Sequence, residues 1–494
     1  NEFGSWVNVP YFKVISEDKD MTFNPRIYAD DKFILQSEFR QVFENSKMVS
    51  DFSINNDGRN TNTHLFTKID GSFNSKTNFK FKYQDVSNDD YLKIHNLSNS
   101  TSIIENESLL TTQLNISKNI DSNTNLDTNF TVYEDLSKED SDRFQYILPN
   151  FIYSKNIIIP DNYNGNFKFK SSGFQKNYDT NKYESLLIND FLFESNNIIS
   201  RSGFLNNYDL LIKNFNSYTE NSSSYTEKED YEVFGSFLLK TSFPLKKNNT
   251  KYTSYLKPIA SLRYSPNNTK NISDKDVRLD YNNIFSLNRI GTNEIVEGGK
   301  SIALGLEYEK RNFQDNKLIS FNIANSISNK KNDNLPAKSK LNNTRSDFVG
   351  NFSYSPNSII DLDYNFSYDK NFDGSNYDSI TTTLNVNNFI TSFNYLSEDF
   401  KITGNENKEV FLNTTVYKID DENILKFNTS KDLKKDFTEY YNLIYSYETD
   451  CLIASAEYKK KFYRDGSLVP DKSLLFTIRF IPFAELKPTA TSIN

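Results

Sequence analysis

Apolar and polar residues alternate with a period of two along most of the chain. In KFILQSEFR, Phe33 and Leu35 fall on one face, whereas Glu38 and Arg40 fall on the other. A period of two predicts β-strands with one apolar and one polar face, and no capped stretch with a helical period competes with it. The polar-face residues that we single out are Glu38, Arg40, Lys80, Lys82, Asp361, Asp363 and Arg479.

The stretch VPYFKVISEDKDMTFNPRIYA, near the start of the sequence, reads as two strands joined by a polar turn. Each of these strands contains a proline, Pro10 in the first and Pro25 in the second. Proline has no N–H group to donate, so it is confined to sheet edges, strand ends and bulges. From the residues alone, the two prolines mark either ordinary strand ends or an edge that pairs weakly.

The composition argues against a disordered chain. Only 36% of the 494 residues are hydrophobic and the mean hydropathy is -0.66, which is typical of soluble or disordered sequences. However, 41 Phe and 31 Tyr are far more aromatic residues than disordered chains carry, and Pro and Gly are scarce at 12 and 15. The chain is therefore expected to fold.

Two architectures fit so many alternating strands. A soluble sandwich or propeller bears apolar residues inside and usually has Gly-rich turns and repeats of fixed length, which this sequence lacks. A transmembrane β-barrel instead places apolar residues towards lipid and polar residues towards a wet lumen. The barrel explains why abundant Phe and Tyr coexist with a uniformly charged and amidic second face.

Several functional classes find no support in the residues. The net charge of -8 is spread along the chain, without the basic stripe of a nucleic-acid binder. A single cysteine and two distant histidines, His64 and His95, form no metal-ligand pattern, and no catalytic motif occurs. The sequence contains no run of 18 apolar residues, so no transmembrane helix is predicted. We therefore predict no catalytic residue, no metal site and no cofactor.

Three longer stretches carry a family resemblance. They are VPYFKVISEDKDMTFNPRIY, then DYNNIFSLNRIGTNEIVEGGKSIALGLEYE from Asp280 to Glu309, then YNLIYSYETDCLIASAEYKKKFYRD from Tyr441 to Asp465. This ordered series resembles the C-terminal barrel domain of the LptD (OstA/Imp) family of lipopolysaccharide-assembly proteins. The resemblance extends from Trp6 to about Phe483.

The resemblance implies a fold and a domain organisation. It implies an all-β, large antiparallel transmembrane barrel of about 26 strands with a two-lobed lumen. A β-jellyroll precedes the barrel in this family. We expect residues 1–5 (NEFGS) to be a vector-derived scar, residues 6–483 to form the barrel and residues 484–494 to form a C-terminal tail.

The resemblance also implies a lateral gate between the first and last strands. In the family, prolines in the first strands weaken this seam, and the last strand is rich in apolar residues. The gate residues carried over to this sequence are Pro10, Tyr11, Pro25, Phe476, Ile478 and Phe480. Family members place cysteines late in the barrel to form a disulfide with the N-terminal domain, so Cys451 is the candidate here.

A function and a set of partners follow from the same resemblance. The expected function is transport of lipopolysaccharide through the lumen and the gate into the outer leaflet of the Gram-negative outer membrane. The expected partners are lipopolysaccharide, an LptE-type lipoprotein plug, the periplasmic Lpt bridge, outer-membrane lipids and the barrel-insertion machinery, with no nucleic acid. The alternatives are a diffusion porin or a nutrient-uptake barrel with a sealed seam, and a soluble adhesin-like β protein.

Overall fold

A computed structural model shows that the chain is almost entirely β-structure. It describes residues 6–8, 10–28, 33–56, 61–95, 97, 103–273, 275–399, 408–462, 471–480, 484–486 and 491–492. Thirty strands within these residues form one sheet. The described helical segments are α1 (Tyr91–His95) and the 3-10 turns Asp140–Arg143, Asp161–Tyr163 and Ala337–Ser339. None of the described helices has the length and apolar character needed to cross a membrane.

The strands of the N-terminal half have the following bounds: β1 Trp6–Asn8, β2 Tyr11–Ser16, β3 Lys19–Tyr28, β4 Phe33–Phe43, β5 Ser46–Asn56, β6 Thr61–Asn74, β7 Thr77–Val86, β8 Leu109–Asp121, β9 Thr124–Asp135, β10 Phe144–Ile157, β11 Gly165–Tyr178, β12 Lys182–Ser195, β13 Ile198–Ile199, β14 Leu205–Glu220 and β15 Lys228–Ser242.

The strands of the C-terminal half have the following bounds: β16 Leu245–Asn248, β17 Tyr252–Ser265, β18 Gly299–Asn312, β19 Lys317–Ser328, β20 Phe348–Tyr354, β21 Ile360–Tyr368, β22 Ser375–Val386, β23 Phe389–Glu398, β24 Lys408–Lys418, β25 Asn423–Asp432, β26 Phe437–Glu448, β27 Leu452–Lys461, β28 Asp471–Phe480, β29 Ala484–Leu486 and β30 Thr491–Ser492.

The sheet is an antiparallel meander in which each long strand pairs with the next long strand in sequence. The ladder runs without a crossover from β2 and β3 through to β27 and β28. Among the described residues, 25 strands have six residues or more. The prediction of an all-β, large antiparallel barrel is confirmed.

Exposure alternates along the strands as the sequence pattern predicts. On β18, Ser301 is 5% and Ala303 is 2% exposed, whereas Ile302 is 47% and Leu304 is 51% exposed. The buried positions lie under long connecting segments, and we call this side of the sheet the inner face. The exposed apolar positions belong to the outer face, where a lipid environment would cover them.

The two ends of the meander differ in the length of their connections. Five two-residue turns lie at one end, which we call the short-turn end: residues 17–18, 44–45, 75–76, 122–123 and 387–388. The three longest connections, residues 87–108, 266–298 and 329–347, all lie at the opposite, long-loop end. Outer-membrane barrels have short periplasmic turns and longer extracellular loops, so we expect the short-turn end to face the periplasm.

Candidate functional site

The first predicted gate strand is interrupted at its proline. Pro10 lies between β1 and β2, and both of these strands pair with β3, through Asn8 opposite Arg26 and through Tyr11 opposite Phe23. Tyr11 is 60% exposed, and its ring stacks on that of Phe23. The first strand is thus split into pieces of three and six residues at its proline.

The other predicted gate residues lie in β3 and β28. Pro25 is in β3, opposite Leu35 of β4. Residues Phe476, Ile478 and Phe480 in β28 are in register with Ala456, Ala454 and Leu452 of β27, respectively. The second edge of β28 pairs with β29 and β30, so the expected tail contributes two short strands. No ladder between β28 and the first two strands is present among the described residues.

The predicted polar residues fall on the inner face wherever their side chains are described. Glu38 and Arg40 are on this face of β4, and Arg40 Nε donates to Asp20 Oδ1 at 2.8 Å. Lys82 of β7 donates to Glu105 of residues 87–108 at 2.8 Å. The others share this face by register: Lys80 in β7, Asp361 and Asp363 in β21, and the position of Arg479 in β28, opposite Ile453.

Residues 87–108 fold onto the inner face of β3–β9 and form what we call the N-terminal cap. Its apolar anchors are Tyr91, Leu92 and Leu97, each at most 1% exposed. Gln36 of β4 donates to the carbonyl oxygen of Leu97 at 3.5 Å, and Arg26 of β3 donates to that of His95. Strands near the seam therefore hold this cap directly.

A buried polar network lies beneath the N-terminal cap. Asp51 Oδ1 is 2.5 Å from His64 Nε2, and Ser53 Oγ is 2.6 Å from His64 Nδ1 and 2.8 Å from the Tyr91 hydroxyl. Burial raises the pKa of Tyr91 to about 12, so this phenol stays neutral at physiological pH. His64 and Asp51 are fully buried. The contacts among Ser53, His64 and Asp51 are therefore structural and do not form an accessible catalytic triad.

No pattern in the sequence indicated that both histidines would pack against one tyrosine. His95 Nε2 lies 3.3 Å from Asn55 Nδ2, and the rings of His64 and His95 both pack against Tyr91. Among the described residues, no group of His, Cys, Asp and Glu could hold a metal ion. The contacts of both histidines depend on the way in which residues 87–108 fold back onto β5 and β6.

Residues 266–298 form a second cap, which we call the central cap, and a buried charge cluster fixes it. Glu297 accepts from Arg289 Nε at 2.9 Å and lies 3.7 Å from Arg263 of β17. Arg289 also donates to Ser326 of β19 at 2.6 Å and to Ser301 of β18 at 3.0 Å. Burial alone would raise the pKa of Glu297, but the charges of Arg289 and Arg263 outweigh it and hold this pKa below its usual range.

Glycines in the same motif allow the central cap to approach the sheet. A Cβ atom on Gly305 of β18 would lie 2.5 Å from the Phe285 ring, and one on Gly298 would lie 2.1 Å from the Asn267 carbonyl oxygen. Gly299 has a φ of +98°, which side chains rarely allow. The FSLNR, VEGG and LGLEY segments therefore form one packing unit, in which the glycines leave room for the loop.

The central cap also reaches strands far from its own hairpin. Lys213 of β14 donates to the Asn293 carbonyl oxygen at 2.6 Å, and Arg278 pairs with Glu398 of β23. Lys338, from residues 329–347, lies 2.7 Å from the same Glu398. The cap thus extends across the long-loop end from β14 to β23 and covers the central part of the inner face.

A polar cavity of about 550 Å³ lies on the inner face of β17–β19. Its lining includes Lys257, Glu307 and Arg311, and Lys257 donates to Glu307 at 3.0 Å. Tyr281 of the central cap donates to Glu307 at 2.9 Å, which places this cap against one side of the cavity. The cavity is therefore polar and is bordered on one side by the central cap.

Cys451 lies in the connection between β26 and β27, at the short-turn end. Its side chain is exposed and its thiol is free.

A family model matches most of the chain. The family described as "LptD: LPS transport system D" matches residues 63–429. No curated protein matches the chain. Two solved structures align over 99% of it: the siderophore receptor PirA from Pseudomonas aeruginosa (9% identity, 79% of that chain, TM-score 0.29) and the FrpB iron transporter from Neisseria meningitidis (8% identity, 82%, TM-score 0.28). Both TM-scores are too low to bear on function.

Proposed function

Because the chain belongs to the LptD family of lipopolysaccharide transport proteins, we propose that it passes lipopolysaccharide through its lumen and sideways between its first and last strands. The lipid then enters the outer leaflet of the Gram-negative outer membrane. The observation that carries the gate is the interruption of the first strand at Pro10, which divides its ladder with β3 into two parts. The chemistry is gating, since hydrogen bonds of the seam are exchanged for a transient opening.

The physical basis of this gate is the scarcity of donors at the seam. Unsatisfied backbone groups cost several kcal/mol in hydrocarbon, so a ladder with all its donors would lock the closure. Pro10 precedes β2, the first long strand, and Pro25 lies in the neighbouring strand β3; each lacks an N–H group. The polar inner face supplies a hydrated route for the sugars, and the apolar outer face meets the acyl chains.

A photocrosslinking experiment tests the transport route. Phe12 of β2 is on the inner face, in register with Thr22, and is 41% exposed. Replacing Phe12 by the photoreactive p-benzoylphenylalanine should give lipopolysaccharide adducts in living cells. Leu239, on the outer face of β15 near the short-turn end and 38% exposed, is the matched control and should give none. A diffusion porin would give no adduct at Phe12, and that result would refute the proposal.

We further propose that Cys451 forms a disulfide with the N-terminal domain of the intact protein. It is the only cysteine of this sequence, so at most one such bridge is possible from the barrel. The oxidised full-length protein should migrate differently from the reduced protein on a gel, and Cys451→Ser should abolish this difference. A shift that survives the substitution would assign the bridge to other cysteines.

The remaining partners are part of the same proposal. An LptE-type lipoprotein would occupy one lobe of the lumen, and the periplasmic Lpt bridge would deliver lipopolysaccharide through the N-terminal domain. The energy for transport would come from outside this chain. The barrel-insertion machinery would recognise the aromatic-rich segment SLLFTIRFIPF at the end of the barrel.

A further inference from the structure

The last two long strands carry a group of lysines at the long-loop end. Lys459, Lys460 and Lys461 are the final residues of β27, and Lys472 is the second residue of β28. Lys460 and Lys472 stand directly opposite each other in the ladder. Lys460 is four residues from Ala456 on β27, and Lys472 is four residues from Phe476 on β28. Phe476 is 47% exposed on the outer face, so both lysines belong to the outer face.

A directly opposed pair of like charges destabilises a ladder unless something compensates it. The same pairing occurs on the inner face between Lys68 and Lys82, and there Glu105 of the N-terminal cap lies 2.8 Å from Lys82. Within the part of the chain that the structure describes, no carboxylate lies within ion-pair distance of Lys460 or Lys472. The outer pair thus differs from the inner pair in having no described carboxylate beside it.

The surroundings of the outer pair suit a lipid headgroup. Lys460 Nζ lies 4.2 Å from the centre of the Phe462 ring and 5.8 Å from that of Tyr441. Tyr441 also packs against Tyr458 and Phe462, with ring centres 6.2 and 5.5 Å apart. Aromatic rings beside cations at the end of a membrane strand are typical of the interface where headgroups lie.

The neighbouring lysines extend the charge to the other side of the sheet. Lys459 and Lys461 alternate with Lys460, so they belong to the inner face, opposite Ser473 and Asp471. Positive charge thus lies on both faces of β27 at the extracellular end. These strands adjoin the seam through which the proposed function releases its lipid.

We propose that Lys459, Lys460, Lys461 and Lys472 form a phosphate-binding rim for the headgroup of a phosphorylated glycolipid leaving the lumen. The inference rests on the proposed function and adds a binding site to it. The inner lysines meet the phosphates inside the lumen, and the outer pair holds them in the outer leaflet. The directly opposed outer pair is the observation from which a bound anion is inferred.

A lipid-binding measurement tests the rim. The full-length protein, placed in phosphatidylcholine nanodiscs, should bind diphosphorylated lipid A at least about tenfold more tightly than dephosphorylated lipid A. The reason is that each lysine near an anionic headgroup increases the binding affinity for that headgroup by a similar, modest factor. Lys460→Gln with Lys472→Gln should remove most of this preference. The double arginine variant should restore it, since it returns both charges.

Lys300 provides a matched control. Its Nζ lies 5.3 Å from the centre of the Tyr264 ring at the long-loop end of β18, far from the seam along the meander. Lys300→Gln should leave the preference for diphosphorylated lipid A unchanged. Heat-dependent gel migration identifies any variant that has failed to fold. If the glutamine variant fails to fold, the arginine variant still shows whether positive charge at these positions maintains the preference for diphosphorylated lipid A.

Three results would overturn the rim. They are an unchanged preference in the double glutamine variant, no restoration by arginine, and equally tight binding of phosphatidylglycerol, which would indicate general attraction of anionic lipids. Failure of the proposed transport function can be distinguished from failure of the rim. In that case no lipopolysaccharide adduct would form at Phe12, while the binding of lipid A would still depend on the lysines. That combination would retain the rim and reassign its role.

Discussion

Lipopolysaccharide export falls sharply when Pro10 and Pro25 are both replaced by alanine in the full-length protein. Each substitution restores one backbone N–H group, at the break between β1 and β2 for Pro10 and within β3 for Pro25. If each new ladder bond contributes about 1 kcal/mol, the two together reduce the open population of the seam roughly thirtyfold. The measurement is the appearance of newly made lipopolysaccharide at the cell surface after induction of the variant.

Pro258 supplies the control for this prediction. It lies inside β17, paired with Leu306 of β18 and distant from the first and last strands along the meander. Pro258→Ala also adds one N–H group to a membrane strand, but it should leave export at the wild-type rate. Normal export in the double variant, with normal amounts of folded protein, would show that the prolines do not govern the gate.

Glu297→Gln should open the central cap and make the lumen leak. The substitution removes the charge that compensates Arg289 and Arg263, both of which are only 2% exposed. Breaking a buried charge pair by removing one partner costs about 3–5 kcal/mol, which favours detachment of the cap against its apolar contacts with the sheet. Single-channel recordings should show a large, long-lived conductance, and residues 266–298 should become sensitive to protease.

Glu309→Gln is the matched control, because Glu309 pairs with the partly exposed Arg311 and does not touch the central cap. It should leave conductance near the wild-type value. An intact, protease-resistant cap in the Glu297→Gln protein would show that the apolar contacts of the cap suffice without the charge cluster.

The pH dependence of the cap follows from the same carboxylate. Because the folded protein lowers the pKa of Glu297 below its ordinary value of 4.5, the stabilisation is present above that value. It is lost as the pH falls through the lower, folded-state pKa. The wild-type cap should therefore stay closed from neutral pH down to about 4.5 and open only in stronger acid, whereas the Glu297→Gln protein should lack this transition. Protease protection measured against pH checks both curves.

The β-fold and the two faces of the sheet could be predicted from the residues alone. Period-two alternation is a local property, because successive side chains of a strand point to opposite sides whatever the strand pairs with. It therefore placed Glu38, Lys82 and Asp363 on the polar face before any pairing was known. The ordered motifs were sufficient to indicate the family that matches residues 63–429.

The loops that cover the inner face, and the contacts that attach them to the strands, could be identified only from the three-dimensional structure. The contacts of His64 with Asp51 and Tyr91 join two strands and a loop, and no local period encodes such long-range packing. The role of the motif glycines is likewise explained only by the structure, in which Phe285 packs against Gly305 and leaves no room for a side chain there.

The lysine rim shows the same division between local and long-range information. The run YKKKFYRD was visible in the sequence as part of the family resemblance, without a separate role. Whether Lys460 faces Lys472 depends on the register of β27 and β28, and a shift of one residue would move every side chain to the other face. Alternation within a strand is fixed by local backbone geometry, whereas register and loop packing are fixed by contacts between distant parts of the chain.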